Sequence, residues 1–292
     1  MTHPKTQRGM TLIELVVVIT LSAIVVAFMA MFIVQPVDAF MIQKQRAQLS
    51  DAADNALRML ARDLRSGLPN SVRIATSGTV VAIEMLATVD GARYQDNGPL
   101  SNPALWLDFS QADGAFSTTV PFSGVTLGQQ PATSYLAIYN IGITGANAYA
   151  IGGATGVITP PGTTITILAG ATANAQLVTM SPSFKFSFGS PEKRVYLVSG
   201  PVSYLCDSST GLLTRYSGYS ILAAQPTSAA TLIAAGATSG VVTSNLSAGT
   251  PCTFQYAAGT ANRVGMASLQ LQLSNNGQQV QLLEQTHLVN AP

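Results

Sequence analysis

The stretch Arg8-Gly9-Met10-Thr11-Leu12-Ile13-Glu14 opens an apolar run that extends to Val34. Glu14 is the one charged residue in that run. A helix of about 25 residues rises about 38 Å, which is enough to span the hydrocarbon core of a bilayer. The run therefore predicts a membrane-spanning helix over residues 10–34. An ionised carboxylate at the bilayer centre costs about 2.5–3.5 kcal/mol, so we interpret Glu14 as a functional residue with a charged partner.

The segment before this run is short, polar and basic, and it contains Lys5 and Arg8. A secretory signal also begins with basic residues, but its apolar region has about 7–15 residues and ends at a small-residue cleavage site. The run from Met10 is longer, and the small-residue sequence Ala27-Phe28-Met29-Ala30 lies deep inside it. Secretory cleavage and a plain membrane anchor remain as alternatives.

Gly9, followed by Met10-Thr11-Leu12-Ile13-Glu14 and a long apolar helix, resembles the class III signal of type IV pilins and type II secretion pseudopilins. The resemblance implies that residues 1–9 are a leader peptide. It also implies that a prepilin peptidase cuts between Gly9 and Met10 and that Met10 is then N-methylated. Glu14 becomes the fifth residue of the mature chain. Met10 stands where most members of the family have phenylalanine.

The same resemblance implies that the first mature residues act in assembly. The Glu14 carboxylate would pair with the Met10 amine of a neighbouring subunit, and Thr11, Leu12 and Ile13 belong to the same assembly segment. The implied partners are other minor and major pilins, a prepilin peptidase and the inner-membrane assembly platform. Three residues would line the helix surface that bundles with other pilins: Leu15, Val18 and Leu21.

The composition favours an exported, β-rich protein. Apolar residues make up 47% of the chain and charged residues 9%, whereas soluble domains average about 25% charged. The formal net charge is +1, and removal of residues 1–9 leaves 12 basic and 13 acidic residues. The body of the chain has no basic stripe, which argues against nucleic acid as a partner.

Two cysteines, Cys206 and Cys252, occur in the chain. In an exported protein an even pair predicts a disulfide. Closing a loop of about 45 residues stabilises the fold by roughly 4 kcal/mol on the chain-entropy model. The alternative is two buried, unpaired thiols. Two cysteines alone make a poor metal site, and we expect neither a metal nor a cofactor.

Helical spacing continues beyond Val34 as far as Ser66. Apolar residues spaced for one helix face recur along it: Ile42, Leu49, Ala53, Leu57, Leu60 and Leu64. Gly67 and Pro69 provide a stop. The sequence thus predicts an amphipathic second half of the helix over residues 35–66, with one face packed on a C-terminal domain.

Two features are expected within this second half. Pro36 should kink the helix or weaken one of its turns, and Asp54 and Arg58 are spaced for an ion pair. Arg62-Asp63-Leu64-Arg65 resembles the helix end of J-type pseudopilins and W-type minor pilins. For its arginines, a solvated helix end favoured by the helix dipole is an equally good interpretation. Residues 68–74 and 286–292 resemble the O-type minor pilin of the mannose-sensitive haemagglutinin (MSHA) pilus.

From Val72 onward, short alternating segments bounded by turns predict an antiparallel β-rich globular domain over residues 67–292. The predicted strands are 79–86, 104–109, 135–139, 163–168, 184–188, 194–198, 202–206, 212–216, 266–273 and 280–289. Asn276-Gly277 gives the strongest hairpin signal. Residues 140–156 and 223–250 are loop-like and low in complexity, and we expect them to insert into the sheet or cover it. The predicted fold class is α+β.

The sequence contains no recognisable catalytic constellation. It has two histidines, of which His3 leaves with the leader and His287 lies in a predicted strand, and no Gly-x-Ser-x-Gly motif occurs. Four acidic turn sequences offer calcium binding as an alternative to turn formation, although their spacing does not match an EF-hand: Asp90-Gly91, Asp96-Asn97-Gly98, Asp108 and Asp113-Gly114. Five aromatic residues are interpreted as strand packing rather than as a glycan site: Trp106, Tyr135, Tyr139, Tyr196 and Tyr216.

These features predict a structural protein and not an enzyme. The resemblance implies a minor pilin of an MSHA-like type IV pilus that acts in pilus initiation or at the tip, because the mature chain is larger than typical shaft pilins. The expected location is the inner membrane with a periplasmic C-terminal domain, and later the pilus and cell surface. The alternatives are a J-type minor pseudopilin of a type II secretion system, a membrane-tethered adhesin and a tethered hydrolase.

Overall fold

The computed structural model describes residues 9–96, 105–171, 174–259 and 263–288, with the side chains of 33 and 34 left aside. The chain divides into two compact units, Met1–Gln48 and Leu49–Pro292. One long helix, α1 (Leu12–Arg65), is followed by a large domain of mainly antiparallel sheet. The predicted α+β fold class is confirmed.

Helix α1 follows the apolar run and then the amphipathic pattern. Pro36 lies inside it, where the missing N–H removes one backbone hydrogen bond. Five residues of the predicted apolar stripe of α1 are buried, namely Leu49, Ala53, Leu57, Leu60 and Leu64, whereas the prediction is wrong for Ile42, which is 43% exposed. The stripe therefore serves as core packing, because residues spaced by three and four share one helix face.

Eleven strands form the large sheet within the described residues. They are β1 (Arg73–Ser77), β2 (Val80–Tyr94), β3 (Asp113–Val120), β4 (Gly128–Gln129), β5 (Tyr135–Ala137), β6 (Thr155–Gly156), β7 (Thr164–Ala169), β8 (Gln176–Phe186), β9 (Arg194–Asp207), β10 (Leu212–Ser217) and β11 (Thr238–Thr243). Their order is β11-β10-β9-β2-β3-β8-β7-β4, with β1 also on β2, β5 on β9 and β6 on β8. The long strands β2 and β9 form the centre of the sheet.

The small sheet has the order β12-β13-β14, where β12 is Cys252–Ala257, β13 Gly265–Asn275 and β14 Gln278–Leu288. Its central strand alternates buried and half-exposed residues, as the period of two requires. Asn276 and Gly277 both have positive φ, at 48° and 77°. This is the primed turn that the Asn-Gly pair predicts for the β13–β14 hairpin.

One core cluster joins α1 to both sheets in the second unit. The buried stripe of α1 packs with Met85 of β2, Tyr204 of β9, and Leu269 and Leu271 of β13, among others. A second cluster lies among β3, β7 and β8, and includes Phe116 and Phe186. The globular domain is thus held mainly by sheet faces and by the last turns of α1.

Two predicted strands are wrong as separate elements. Residues 194–198 and 202–206 belong to the single strand β9, which continues through Gly200 and Pro201. Gly200 has a φ of 118° and lies opposite a register shift near Thr88 in β2. A bulge at this glycine absorbs the irregularity and lets the strand continue.

Other predicted segments also differ from the structure. The strand over 104–109 is not formed in its described part, residues 105–109, because the Asp108 side chain accepts from the Ser110 N–H at 2.7 Å and turns the chain. The predicted loop 223–250 contains the short helix α2 (Ala229–Ala234) and strand β11. Ser228 caps α2 by accepting a hydrogen bond from the Thr231 N–H at 3.2 Å.

Candidate functional site

Helix α1 begins inside the stretch that the sequence singles out. Thr11 Oγ1 accepts a hydrogen bond from the Glu14 N–H at 3.4 Å, and the Thr11 carbonyl accepts from the Leu15 N–H at 3.2 Å. Thr11 is therefore the N-cap and Glu14 the third helical residue, the spacing of a capping box. The sequence analysis missed this capping role, which the Thr-x-x-Glu spacing could have revealed.

The start of α1 is exposed on every side. Gly9 and Met10 precede the helix, and Leu12 and Ile13 are 81% and 73% exposed. Every described side chain from residue 9 to residue 44 is exposed. A helix that is apolar all round needs a lipid or protein environment, and the described apolar side chains of residues 12–32 find none within the described part of this chain.

The polar side chains of this segment differ in how they are satisfied. The Thr20 hydroxyl lies 3.0 Å from the Val16 carbonyl oxygen and 2.9 Å from that of Val17, so it bonds within the helix. Glu14 has no ion-pair partner among the described residues. A carboxylate in an apolar helix is costly without such a partner. The geometry is consistent with a partner on another molecule.

Comparison with known proteins adds one decisive match. Residues 4–30 match the family described as the prokaryotic N-terminal methylation motif. The match supports a type IV pilin-like protein. No curated protein and no solved structure matches the chain.

The motif indicates a precursor of type IV pilin or pseudopilin type, which a prepilin peptidase processes. It implies interaction with that peptidase and with other pilins, and a structural rather than a catalytic role. Within the described residues, α1 is the one helix long and apolar enough to cross a membrane. Motif and helix together point to a membrane-anchored, pilin-like protein.

The end of α1 is fastened to the large sheet by Asp63. Its Oδ2 accepts hydrogen bonds from the Tyr204 hydroxyl and from Arg215 Nε, each at 2.7 Å. Burial, together with the Asp63 carboxylate, raises the pKa of the Tyr204 hydroxyl well above its usual value, so Tyr204 remains a donor. These bonds join the helix to β9 and β10.

Arg65 fastens the same helix end to the small sheet. Its Nε donates to Thr286 Oγ1 at 2.7 Å, and its Nη2 lies 3.8 Å from a Glu284 carboxylate oxygen. Arg62 is exposed. The interpretation of a solvated helix end therefore holds for Arg62 but is incomplete for Arg65, which bonds to β14.

Replacing Asp63 with alanine should lower the free energy of unfolding by about 1.5–3 kcal/mol, because hydrogen bonds to charged groups contribute that much. Arg215 would lose its carboxylate partner, and the Tyr204 hydroxyl would lose its hydrogen-bond acceptor. Urea unfolding of the full chain in detergent measures the change. Asp54→Ala is the matched control, since Asp54 pairs with Arg58 at 2.7 Å on the exposed face of α1 and should leave the midpoint unchanged. Equal midpoints for both variants would contradict the anchoring role.

A disulfide links the two sheets. Cys206 on β9 is bonded to Cys252 on β12, and both residues are buried. The alternative of unpaired thiols is thereby excluded in this structure. The two cysteines are 46 positions apart in the sequence. Their bond connects the end of β9 in the large sheet to the start of β12 in the small sheet.

A charged pair on β1 and β2 of the large sheet is largely buried. The Glu84 carboxylate is fully buried and lies 2.8 Å from Arg73 Nη2, while Ser203 Oγ donates to it at 3.1 Å. The Arg73 guanidinium also stacks on the Tyr149 ring at 3.6 Å. Because the carboxylate is shielded from solvent, we interpret its role as structural rather than as that of an exposed acid.

The buried Glu84 predicts a dependence of stability on pH. Burial raises the pKa of its carboxyl above the ordinary 4.5, although Arg73 opposes this. A group whose pKa is higher in the folded state contributes to the free energy of unfolding. That contribution is complete below the pKa of the unfolded state and is lost as the pH rises through the pKa of the folded state. The unfolding free energy of the parent minus that of Glu84→Gln should therefore fall as the pH rises above 4.5. Urea unfolding of both proteins from acid to neutral pH tests this, and a constant difference would refute it.

Aspartates of the acidic turn sequences accept hydrogen bonds from nearby protein groups. Asp90 lies within β2 and not in a loop, and its Oδ2 accepts from the Gly124 N–H at 2.7 Å and from Ser123 Oγ at 3.2 Å. Asp113 begins β3 and accepts from the Ala115 N–H at 3.1 Å. Among the described residues no three potential ligands gather into a metal site.

The remaining predicted residues do not add a second site. Asp96 pairs with Lys193 at 3.3 Å, while Asn97, Gly98, Ala104, His3 and residues 289–292 lie outside the described residues. Tyr135 and Tyr216 are buried in strands, whereas three rings are half-buried: Trp106, Tyr139 and Tyr196. The aromatic residues are therefore better explained by packing than by an exposed glycan platform.

Proposed function

We propose that this chain is a minor pilin of an MSHA-like type IV pilus that acts in initiation or at the tip. The observation that carries the proposal is the prepilin-type motif on a helix with exposed apolar surface all round, whose Glu14 has no ion-pair partner in the part of the chain that the structure describes. In the proposal, residues 1–9 form the leader, 10–34 the membrane half, 35–66 the amphipathic half and 67–292 the periplasmic domain.

The chemistry of assembly follows from two opposite charges. Cleavage between Gly9 and Met10 creates an amine at Met10, which is then N-methylated and remains basic. In an apolar surrounding, an ammonium and a carboxylate each need a counter-charge. Glu14 of one subunit pairs with the Met10 amine of the next, and the exposed helices bundle with those of other pilins. This pairing sets the axial register and offsets the cost of withdrawing each helix from lipid.

The rival function within the same class is a J-type minor pseudopilin of a type II secretion system. The N-terminal motif does not separate the two, because both classes carry it. The resemblance of residues 68–74 and 286–292 to the O-type minor pilin favours the pilus. In either system the protein is a non-catalytic subunit. It is first inserted in the inner membrane and is then assembled into a filament at the cell surface or in the periplasm.

A deletion strain separates these functions. Loss of the chain should reduce the number of pili per cell, counted by electron microscopy, while secreted enzyme activity in the medium stays at the parental level. Complementation with the intact chain is the control. Normal pilus numbers with loss of secretion would overturn the pilus assignment in favour of the secretion system. Binding of glycan by the isolated protein with normal pili would favour the adhesin.

A further inference from the structure

The outer edge of β14 carries unused backbone groups. β14 is last in the order β12-β13-β14 and pairs with β13 alone within the described chain. No described residue makes a backbone hydrogen bond to its other side. In an antiparallel strand, alternate residues direct their N–H and C=O groups to each side. The backbone N–H and C=O groups of β14 that point away from β13 can therefore pair with another strand.

β14 also lacks the features by which edge strands avoid pairing. It has eleven residues, keeps a continuous register with β13, and contains no proline, lysine or arginine. Its one acidic residue, Glu284, lies on the half-buried face near Arg65. Natural edge strands are usually short, bulged or charged. A long, regular and nearly uncharged edge is instead suited to pairing.

The exposed face of β14 is uncharged over almost its whole length. Its side chains are Gln279, Gln281, Leu283, Gln285 and His287. Leu283 is at the middle of the strand, with five strand residues on each side, and it is 60% exposed. Two polar residues flank Leu283 on each side of this face, so its polarity is symmetric about Leu283, as pairing of the strand with its own copy requires.

We propose that β14 pairs antiparallel with β14 of a second copy of this chain, around a two-fold axis at Leu283. In this register Leu283 faces Leu283 of the partner subunit, Gln281 faces Gln285 of the partner subunit, and Gln279 faces the partner's His287. All eleven residues are paired, which allows about ten backbone hydrogen bonds. The contact is isologous, as in most homodimers.

The pattern of polar residues on either side of Leu283 favours a second copy as the occupant, and this register avoids a clash of charges. Centring the contact on Leu283 places Glu284 opposite Leu282 of the partner subunit, so no like charges meet. A shift of the axis by one residue places Glu284 opposite the partner's Glu284, which is unfavourable. The paired state joins two small sheets into one of six strands and leaves neither β14 edge open. This inference does not depend on the proposed pilus role.

Single-cysteine cross-linking of the full chain in detergent tests the register. Cys206 and Cys252 are bonded to each other, so an introduced cysteine is the sole free thiol. Leu283→Cys should give a disulfide dimer on a non-reducing gel under mild oxidation, because residue 283 meets its own copy at the axis. Gln279→Cys should not, since its copy lies about 27 Å along the strand. The pair Gln279→Cys with His287→Cys should restore the dimer.

A charge variant tests the contact without cross-linking. Leu283→Lys places two cations opposite each other and should convert the dimer to the monomer mass in detergent. Val241→Lys on β11 is the matched control, because Val241 is 62% exposed on an edge strand of the large sheet, and it should leave the dimer intact. Equal cross-linking of Leu283→Cys and Gln279→Cys, no cross-link at either, a cross-link to a protein of different mass, or a dimer that survives Leu283→Lys would each overturn the proposal.

Discussion

We expect the proposed pairing to make Glu14→Ala remove the protein from assembled filaments while leaving its amount in the membrane unchanged or higher. The carboxylate is the one charge in the apolar run and has no ion-pair partner among the described residues. In the proposed pairing, loss of Glu14 leaves the amine of the neighbouring subunit uncompensated, and a cost of about 2.5–3.5 kcal/mol corresponds to a loss on the order of a hundredfold. Quantitative immunoblotting of sheared filaments against membranes measures the ratio.

Two controls make this result specific. Asp38→Ala removes the next carboxylate along α1, which is also exposed, and should leave the ratio at the parental value. Glu14→Gln keeps the size and removes the charge, so it should resemble alanine. Filament incorporation of Glu14→Ala at the parental level would show that charge pairing is not the driving contact.

Removing the disulfide has the second largest expected effect. Replacing Cys206 and Cys252 together with alanine should lower the free energy of unfolding by about 4 kcal/mol on the chain-entropy model, because the bond closes a loop with a sequence separation of 46. Both cysteines are buried in the cluster that joins the two sheets, so their replacement also loses packing. Urea unfolding of the full chain in detergent gives the difference.

Reductant provides the matched comparison for this variant. Dithiothreitol should shift the unfolding midpoint of the parent toward that of the double variant and leave the variant where it is. An unchanged midpoint for the reduced parent would mean that the large and small sheets are held together by packing alone.

The N-terminal motif could be recognised from the sequence because its signals are local. Gly9, the apolar run and Glu14 follow one another within residues 9–34, and the Thr11 cap lies in the same stretch. The β13–β14 hairpin was predictable for the same reason, since Asn276-Gly277 sets the turn that joins two alternating segments. These elements depend on neighbouring residues and need no knowledge of the tertiary fold.

The elements that the sequence analysis missed depend on distant residues. Asp63 bonds to Tyr204 and Arg215, which are 141 and 152 positions away, so the helix anchor has no local pattern. The predicted strands 194–198 and 202–206 form one strand, because a register shift between β9 and the neighbouring strand β2 accommodates a bulge at Gly200. Strand β11, in a low-complexity stretch, is defined by its pairing with β10 and not by its own alternation.

The central claim is that this chain is a processed, pilin-like subunit, and the identity of its first residue in the membrane tests it most directly. Intact-mass and peptide mass spectrometry of the membrane-extracted protein should find N-methylated Met10 at the start of the chain. A start at Met1 would indicate a plain anchor, and a start near Met31 an ordinary secreted protein. Either result would contradict the account, including the pairing of Glu14 with the Met10 amine.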